Sequence, residues 1–158
     1  MRDINLEYLN LQNEEMVQFL YETRRHPEVS KYLLGSPPRD IESHRAWLKK
    51  NVPLRRVMCI LECDGRPAGY CHGYDFDHNS NTIEVGFVIH PDYQGKGLSH
   101  IMIEKFIEKI SEIMPDRRVQ LYVQASNEKA VCLYQRHGFE MISCIDGVIL
   151  MERVSRGT

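Results

Sequence analysis

The sequence predicts one mixed α/β domain in which helices pack against a sheet. Three observations lead there. The chain has 158 residues, a length that suits a single domain, residues 1–158, with a sizeable core. Its apolar residues recur at period two in some segments and at three and four in others, the marks of strands and helices. The segments follow in the order strand, two helices, three strands, helix, strand, helix, two strands, with no repeat, low-complexity tract or Gly/Ser linker between them.

Each element has its own signal. Ile4, Leu6 and Tyr8 alternate and give a first strand. Asn13 caps a helix whose apolar positions are Met16, Val17, Phe19 and Leu20, and Pro27 interrupts it. Gly35-Ser36-Pro37-Pro38 reads as a loop, after which Asp40 caps a second helix with Ile41, His44, Trp47 and Leu48 near one face. Val57 to Cys63 reads as a strand, Asp64-Gly65 as a tight turn, and Pro67 to Tyr74 as the partner strand. His78-Asn79-Ser80-Asn81 is predicted as the next turn and Thr82 to Ile89 as the third strand of this meander. From Leu98 the period turns helical through Ile101, Met102, Phe106, Ile107 and Ile110. Val119 to Val123 is a strand, and Ser126 or Asn127 opens a helix ending near His137-Gly138, with Gly138 as its cap. Strands near Phe139 to Cys144 and Val148 to Arg153 follow, and the tail Ser155 to Thr158 is expected to fray.

Composition narrows the function classes. A formal net charge of -2 argues against a nucleic-acid binder that depends on a basic surface. The longest apolar runs are a few residues, too short to span a membrane, and Met1 to Asn5 lacks the apolar core of a signal peptide. Five cysteines, an odd number at scattered spacing, do not form a disulfide framework. Reduced thiols in a cytoplasmic protein are the simpler expectation.

The informative segment runs from Val88 to Ser99, reading Val-Ile-His-Pro-Asp-Tyr-Gln-Gly-Lys-Gly-Leu-Ser. A strand ends, a glycine-rich turn follows and a helix begins. Glycine permits the sharp turn and a close ligand. The first amides of the helix lack partners within it, and the helix dipole adds positive potential, so the turn is a seat for phosphate. Lys96 adds charge. Gly-x-Gly-x-x-Gly fails here, because His100 stands at the third glycine, and the Gly-Lys-Ser/Thr of a P-loop is absent.

Gln94-x-x-Gly97-x-Ser99 resembles the Gln/Arg-x-x-Gly-x-Gly/Ala signature of the GNAT superfamily of N-acetyltransferases. Asn127-x-x-Ala130-x-x-x-Tyr134-x-x-x-Gly138-Phe139 resembles the second motif of that family at the expected distance. The resemblance is strongest over residues 82 to 143, with Ser99 departing from the usual Gly or Ala. It implies a central, mostly antiparallel twisted sheet of about seven strands with about four helices, and acetyl-CoA as cosubstrate. It further implies that Phe87, Val88 and Ile89 run beside the pantetheine arm. There the strand splays from its neighbour. Backbone amides of Gln94, Gly95, Lys96, Gly97, Leu98 and Ser99 would hold the pyrophosphate. Asn127 would contact the pantetheine, with Lys129 or Arg136 assisting at the phosphates.

In that family the amine attacks the thioester directly. Tyr134 matches the position that protonates the departing sulfur, and a phenol keeps its proton at neutral pH; the alternative is a ring packed in the core. Glu84 shares a strand face with Gly86 and Val88. It either accepts the amine's proton, orients a cation or faces solvent. Cys132 and Cys144 have no histidine at a telling spacing and are expected to be buried, inert thiols. No metal is expected: Cys59, Cys63, Cys71 and His72 lack zinc-knuckle spacing.

The acceptor is read from the helices near the start. Arg25-His26-Pro27-Glu28-Val29-x-x-Tyr32-Leu33 and Asp40-Ile41-Glu42-x-His44-x-x-Trp47-Leu48-Lys49-Lys50 resemble a subset of the same superfamily. That subset includes enzymes of nucleotide-linked amino sugars and enzymes of ribosomal-protein N-termini, and the pattern is closer to the sugar enzymes. Arg24, Arg25 and Lys31 can meet a diphosphate, while Tyr32, Trp47 or Tyr74 can stack on a ring. Trp47 can equally be core and His44 a histidine bonded beside it. Arg25, Tyr32, His44 and Tyr74 are the candidate acceptor residues. The expected partner is a small-molecule amine, with no nucleic acid or membrane, for a monomer or homodimer. A peptide N-terminus as acceptor and a non-catalytic CoA-binding module are the competing readings.

Overall fold

The computed structural model describes residues 2–75 and 81–154, the side chains of 53–55 excepted. The elements are β1 (Ile4–Tyr8), α1 (Glu14–Arg25), α2 (Pro27–Ser30), α3 (Ile41–Arg55), β2 (Arg56–Cys63), β3 (Arg66–Tyr74), β4 (Thr82–Ile89), α4 (Leu98–Ile113), β5 (Arg118–Gln124), α5 (Glu128–Arg136), β6 (Phe139–Ile145) and β7 (Val148–Arg153). Residues 78–80 of the predicted turn, and the tail from Ser155, lie outside the described residues.

Where helices begin, the sequence supplies caps. The Asn13 side chain accepts from the Met16 N–H at 3.2 Å and the Asp40 side chain from the Ser43 N–H at 2.8 Å, each satisfying an otherwise orphan donor. The expected set of about four helices is present, joined by one short helical turn. Pro27 ends α1 but also opens α2, because proline's fixed φ and missing N–H suit the first helical position. His26 caps that turn, its Nδ1 accepting from the Glu28 N–H at 3.1 Å. The same device recurs at His90-Pro91-Asp92, where His90 Nδ1 accepts from the Asp92 N–H at 3.0 Å and opens a short 3₁₀ turn over Pro91–Tyr93. The His26 and His90 rings meet edge to face, centroids 5.6 Å apart.

The seven strands form one sheet in the order β1-β2-β3-β4-β5-β7-β6. All neighbours run antiparallel except β4 and β5. On one face α4 lays Met102, Ile103, Phe106 and Ile110 over Ile83, Val85 and Leu121. On the other face Met16, Val17 and Leu20 of α1, with Leu48 of α3, cover Met58, Ile60 and Tyr70. Strand alternation therefore sends Ile83, Val85 and Ile89 of β4 toward α4, and Glu84, Gly86 and Val88 toward α1 and α3.

One irregularity positions the site. The parallel β4–β5 ladder covers Thr82↔Arg118, Ile83↔Val119 and Glu84↔Gln120, then stops. Beyond it β4 stays on β3 as far as Gly69↔Ile89, while β5 stays on β7 as far as Gln124↔Val148. The sheet thus opens between the two strands past Glu84. At the closed end Arg117 grips buried Asp75 with two contacts, Nη1 to Oδ1 at 3.1 Å and Nη2 to Oδ2 at 3.0 Å, a bidentate geometry that fixes both groups.

The open end relies on a close approach of β3 to β4. A Cβ on Gly69 would sit 2.6 Å from the Val88 carbonyl oxygen, a backbone atom that cannot move without its strand. Gly69→Ala is expected to cost about 1–3 kcal/mol of stability by overpacking, read as a lower urea midpoint at unchanged m-value.

Candidate active site

Between β4 and α4 the chain turns on two glycines in the left-handed region, Gly95 at φ 78° and Gly97 at φ 75°, conformations that side chains other than Asn or Asp strongly resist. Space beyond both Cα atoms is open. Gln94 holds the turn to its strand, Nε2 donating to the Ile89 carbonyl at 3.1 Å. Arg2 Nη2 donates to the Lys96 carbonyl at 2.7 Å and braces the turn from the other side. Gly97 is the N-cap of α4 and supplies no side-chain hydrogen bond. The leading amides and the positive end of a 16-residue helix therefore face the opening.

Asn127 is likewise the N-cap of α5 without a capping bond from its side chain. The contrast is informative: α1, α2 and α3 start on side-chain caps, whereas the two helices beside the opening do not. Between them lies a cleft of about 540 Å³, walled by Gly97, Ser99 and His100 at the start of α4 and by Glu128, Lys129, Cys132, Leu133 and Arg136 of α5. Lys129 and Arg136, roughly two turns apart on α5, thus present both cations to one wall. An anion of phosphate type fits this set of groups. Cys132 and Cys144 are exposed, not buried as expected, because α5 and β6 are amphipathic elements with one side to solvent.

Tyr134 lies on the buried side of α5, only 7% exposed. Its ring packs with Phe87 at 6.1 Å and Phe139 at 5.9 Å between centroids. Burial pushes the phenol up to about 12, so it holds its proton at neutral pH. Glu84 is half-buried at the last rung of the β4–β5 ladder. Burial raises its carboxyl above the ordinary value, opposed by the charge of Arg56. A carboxylate raised this way is a better proton acceptor at neutral pH than one in water.

Around Glu84 the α1/α3 face assembles an aromatic and cationic array. Arg56 lies over the Tyr74 ring at 3.8 Å and over Trp47 at 4.6 Å. Arg24 also lies over the Trp47 ring, at 5.7 Å. His72 stacks on Tyr74, centroids 4.2 Å apart at 12°. The ring of His72 crosses β4 above Gly86, where a Cβ would stand 2.3 Å from Nε2. Of the acceptor candidates, Tyr74 belongs to this array. Arg25 instead bonds the Tyr21 hydroxyl and lies over its ring. Tyr32 is half-buried under the Lys31 ammonium, and Lys31 is tied to Glu28 at 2.8 Å. His44 is buried at 3% exposure, its Nε2 without a hydrogen-bond partner among the described residues. Arg56 escaped sequence reasoning because it stands at the α3–β2 boundary outside any motif. His72 gained its place only through its register against Gly86.

Residues 14–139 match the family model described as acetyltransferase (GNAT) family, and the chain belongs to that family. Spermidine N(1)-acetyltransferase of Escherichia coli (strain K12) is 30% identical over 82 residues, 52% of this chain and 44% of that protein. The chain spans about half the length of the first curated relatives it matches. The crystal structure of spermidine N-acetyltransferase from Vibrio cholerae in complex with CoA and spermine superposes with a TM-score of 0.83 at 17% identity, covering 94% of this chain and 92% of that one. A ribosomal L7/L12 alpha-N-protein acetyltransferase in complex with coenzyme A gives 0.82 at 15% identity, covering 96% and 93%. At these identities the structural likeness establishes the fold, a mixed α/β sheet of seven strands.

Two outcomes follow from this geometry. Tyr134→Phe keeps the packing and removes the acidic proton. The turnover number is expected to fall about 10²-fold or more with little change in the KM for acetyl-CoA, read by steady-state kinetics. His44 and His72 are held down to about 4 and about 3, first by burial and then by Arg24 together with Arg45 or Arg56. Unfolded, each titrates near 6.5. As pH falls the unfolded chain therefore takes up these protons first, and stability drops from about pH 6.5 down to about 4 for His44 and about 3 for His72. Urea midpoints are expected to be lower at pH 5 than at pH 7, with a smaller drop in His44→Phe.

Proposed function

We propose that the chain transfers the acetyl group of acetyl-CoA to the primary amine of a small acceptor that also bears negative charge, a nucleotide-linked amino sugar being the favoured class. The carrying observation is the parting of β4 from β5 immediately past Glu84. It leaves β4 backbone without a strand partner on that side, between the uncapped start of α4 and buried Tyr134. Phe87, Val88 and Ile89 would flank the pantetheine arm there. The amides from Gln94 to Ser99 would take the pyrophosphate, with Asn127, Lys129 and Arg136 on the opposite wall.

The chemistry then follows from placement. The acceptor's ammonium gives a proton to Glu84, directly or through water, and the neutral nitrogen attacks the thioester carbonyl. The C–N bond forms, the C–S bond breaks, the nitrogen loses its second proton, and the Tyr134 hydroxyl protonates the departing thiolate. The phenolate recovers a proton from solvent, so the balance is amide, free coenzyme thiol and one released proton. Since Glu84 must be ionised, the rate rises with pH through a carboxyl pKa above the ordinary one.

Arg24 favours a negatively charged acceptor. Arg24 is half-buried, and its partner among the described residues is the Trp47 ring, with no carboxylate. Its charge also reaches Tyr70, His72 and Tyr74. An anionic group beside the reacting amine would be attracted there, whereas a polycation would be repelled. A polyamine acceptor is the second reading, favoured by the names of the relatives above.

Release of coenzyme thiol, measured with acetyl-CoA and a panel of amines, separates the readings. Nucleotide-linked amino sugars are expected to exceed spermidine in kcat/KM, and Arg24→Ala to raise their KM about tenfold, the weight of one charge-assisted contact. Preference for spermidine, with Arg24→Ala improving it, would replace the first reading by the second. Turnover of peptide N-termini alone would exclude both.

A further inference from the structure

His100 and His137 form a pair that the reaction scheme leaves unused. His100 Nδ1 lies 2.9 Å from His137 Nε2. His100 is the third residue of α4, beside the leading amides, and its side chain lines the cleft. His137 caps the far end of α5, its N–H bonded to the Tyr134 and Gln135 carbonyls, and its own carbonyl accepts from Arg153 Nε at 3.3 Å. The pair therefore ties the first turn of α4 to the end of α5, and of the two rings it is His100 that lines the cleft.

Proton counting limits what such a pair can hold. The bridge needs one N–H and one lone pair, and a neutral pair has one further N–H on an outer nitrogen. The remaining outer nitrogen can take one more proton with the bridge intact. A fourth would place two hydrogens between nitrogens 2.9 Å apart and break it. The pair is thus built to carry zero or one positive charge.

Its surroundings decide which. From α4 come Glu104 and the positive helix start; from α5, Glu128, Lys129 and Arg136; from β7, Arg153. His137 is pushed below its ordinary value by burial, then by His100 and Arg153, against the pull of Glu104. His137 is thus held toward its neutral form in the free protein, and a phosphate entering the cleft reverses the local potential.

We propose that the His100–His137 pair is a phosphate ligand for coenzyme A that takes up one proton as the phosphate settles in the cleft. This rests on reading the cleft as the coenzyme site. By linkage, ligand and proton help one another: affinity is highest below the pKa of the free pair and falls as pH rises through that of the complex.

Calorimetric titration of the full chain with coenzyme A, in buffers of different ionisation enthalpy at pH 7, counts the protons. Net uptake approaching one per site is expected, abolished in His100→Gln and, independently, in His137→Gln. At pH 6 either variant is expected to weaken binding about tenfold, and at pH 8.5 less than about twofold. Uptake persisting with dephospho-coenzyme A assigns the pyrophosphate as partner, and its loss assigns the 3′-phosphate. Tight binding with the same uptake in wild type and both variants, or with none in wild type, overturns the proposal. A Lys129→Ala/Arg136→Ala double variant that binds coenzyme A unchanged overturns instead the reading of the cleft, and the histidine proposal with it.

Discussion

Everything in this molecule depends on a parallel ladder that lasts three residues. Parallel pairing of β4 with β5 joins two otherwise antiparallel halves of the sheet, and its early end is what creates an opening. Had the ladder continued, backbone groups past Glu84 would be spent on β5. The bidentate Arg117–Asp75 contact closes one end, so the separation grows in one direction only. Helix α4 begins at the widening end, which brings its dipole to the mouth. The alternation of β4 then assigns the two sides: Phe87 to the face of Tyr134 and α4, Glu84 to the face of α1 and α3.

Much of this was legible in the sequence because local rules govern it. Asn13 and Asp40 marked helix starts through short-range side-chain acceptance, and both caps are made. The Gln94 to Ser99 turn was readable since two glycines before a helical period leave few alternatives, and both have positive φ. Tyr134 stands out through the resemblance of Asn127 to Phe139 to the second motif of the family. The rest required register or tertiary distance. Arg56 is a strand-border arginine until β2 lies beside Tyr74 and Trp47. His72 is one histidine among seven until pairing sets it over Gly86. The α2 turn is hidden for a different reason: Pro27 reads as a breaker, while the same ring also initiates helices.

The two faces of β4 differ in electrostatic character. Toward α4, Tyr134 is sealed among phenylalanines, where a neutral acid is the only comfortable state. Toward α1 and α3, arginines lie flat on aromatic rings, which offsets part of their desolvation through the ring quadrupole. Histidines 44 and 72 remain uncharged beside them. Such a face holds positive charge in place, with its arginines already oriented by the rings beneath them.

The uncapped starts of α4 and α5 have a consequence for anyone who would make this protein hardier. Placing a capping side chain at a helix start is among the commonest routes to a more heat-resistant variant. Here Gly97, which has no side chain, would draw such a substitution, although its φ of 75° already resists one. A carboxylate or hydroxyl at 97 would set its own oxygen against the leading amides of α4, which otherwise face the opening. Selection for survival under heat alone would drift toward a sturdier chain with its mouth shut, so such a screen has to be run with the coenzyme bound.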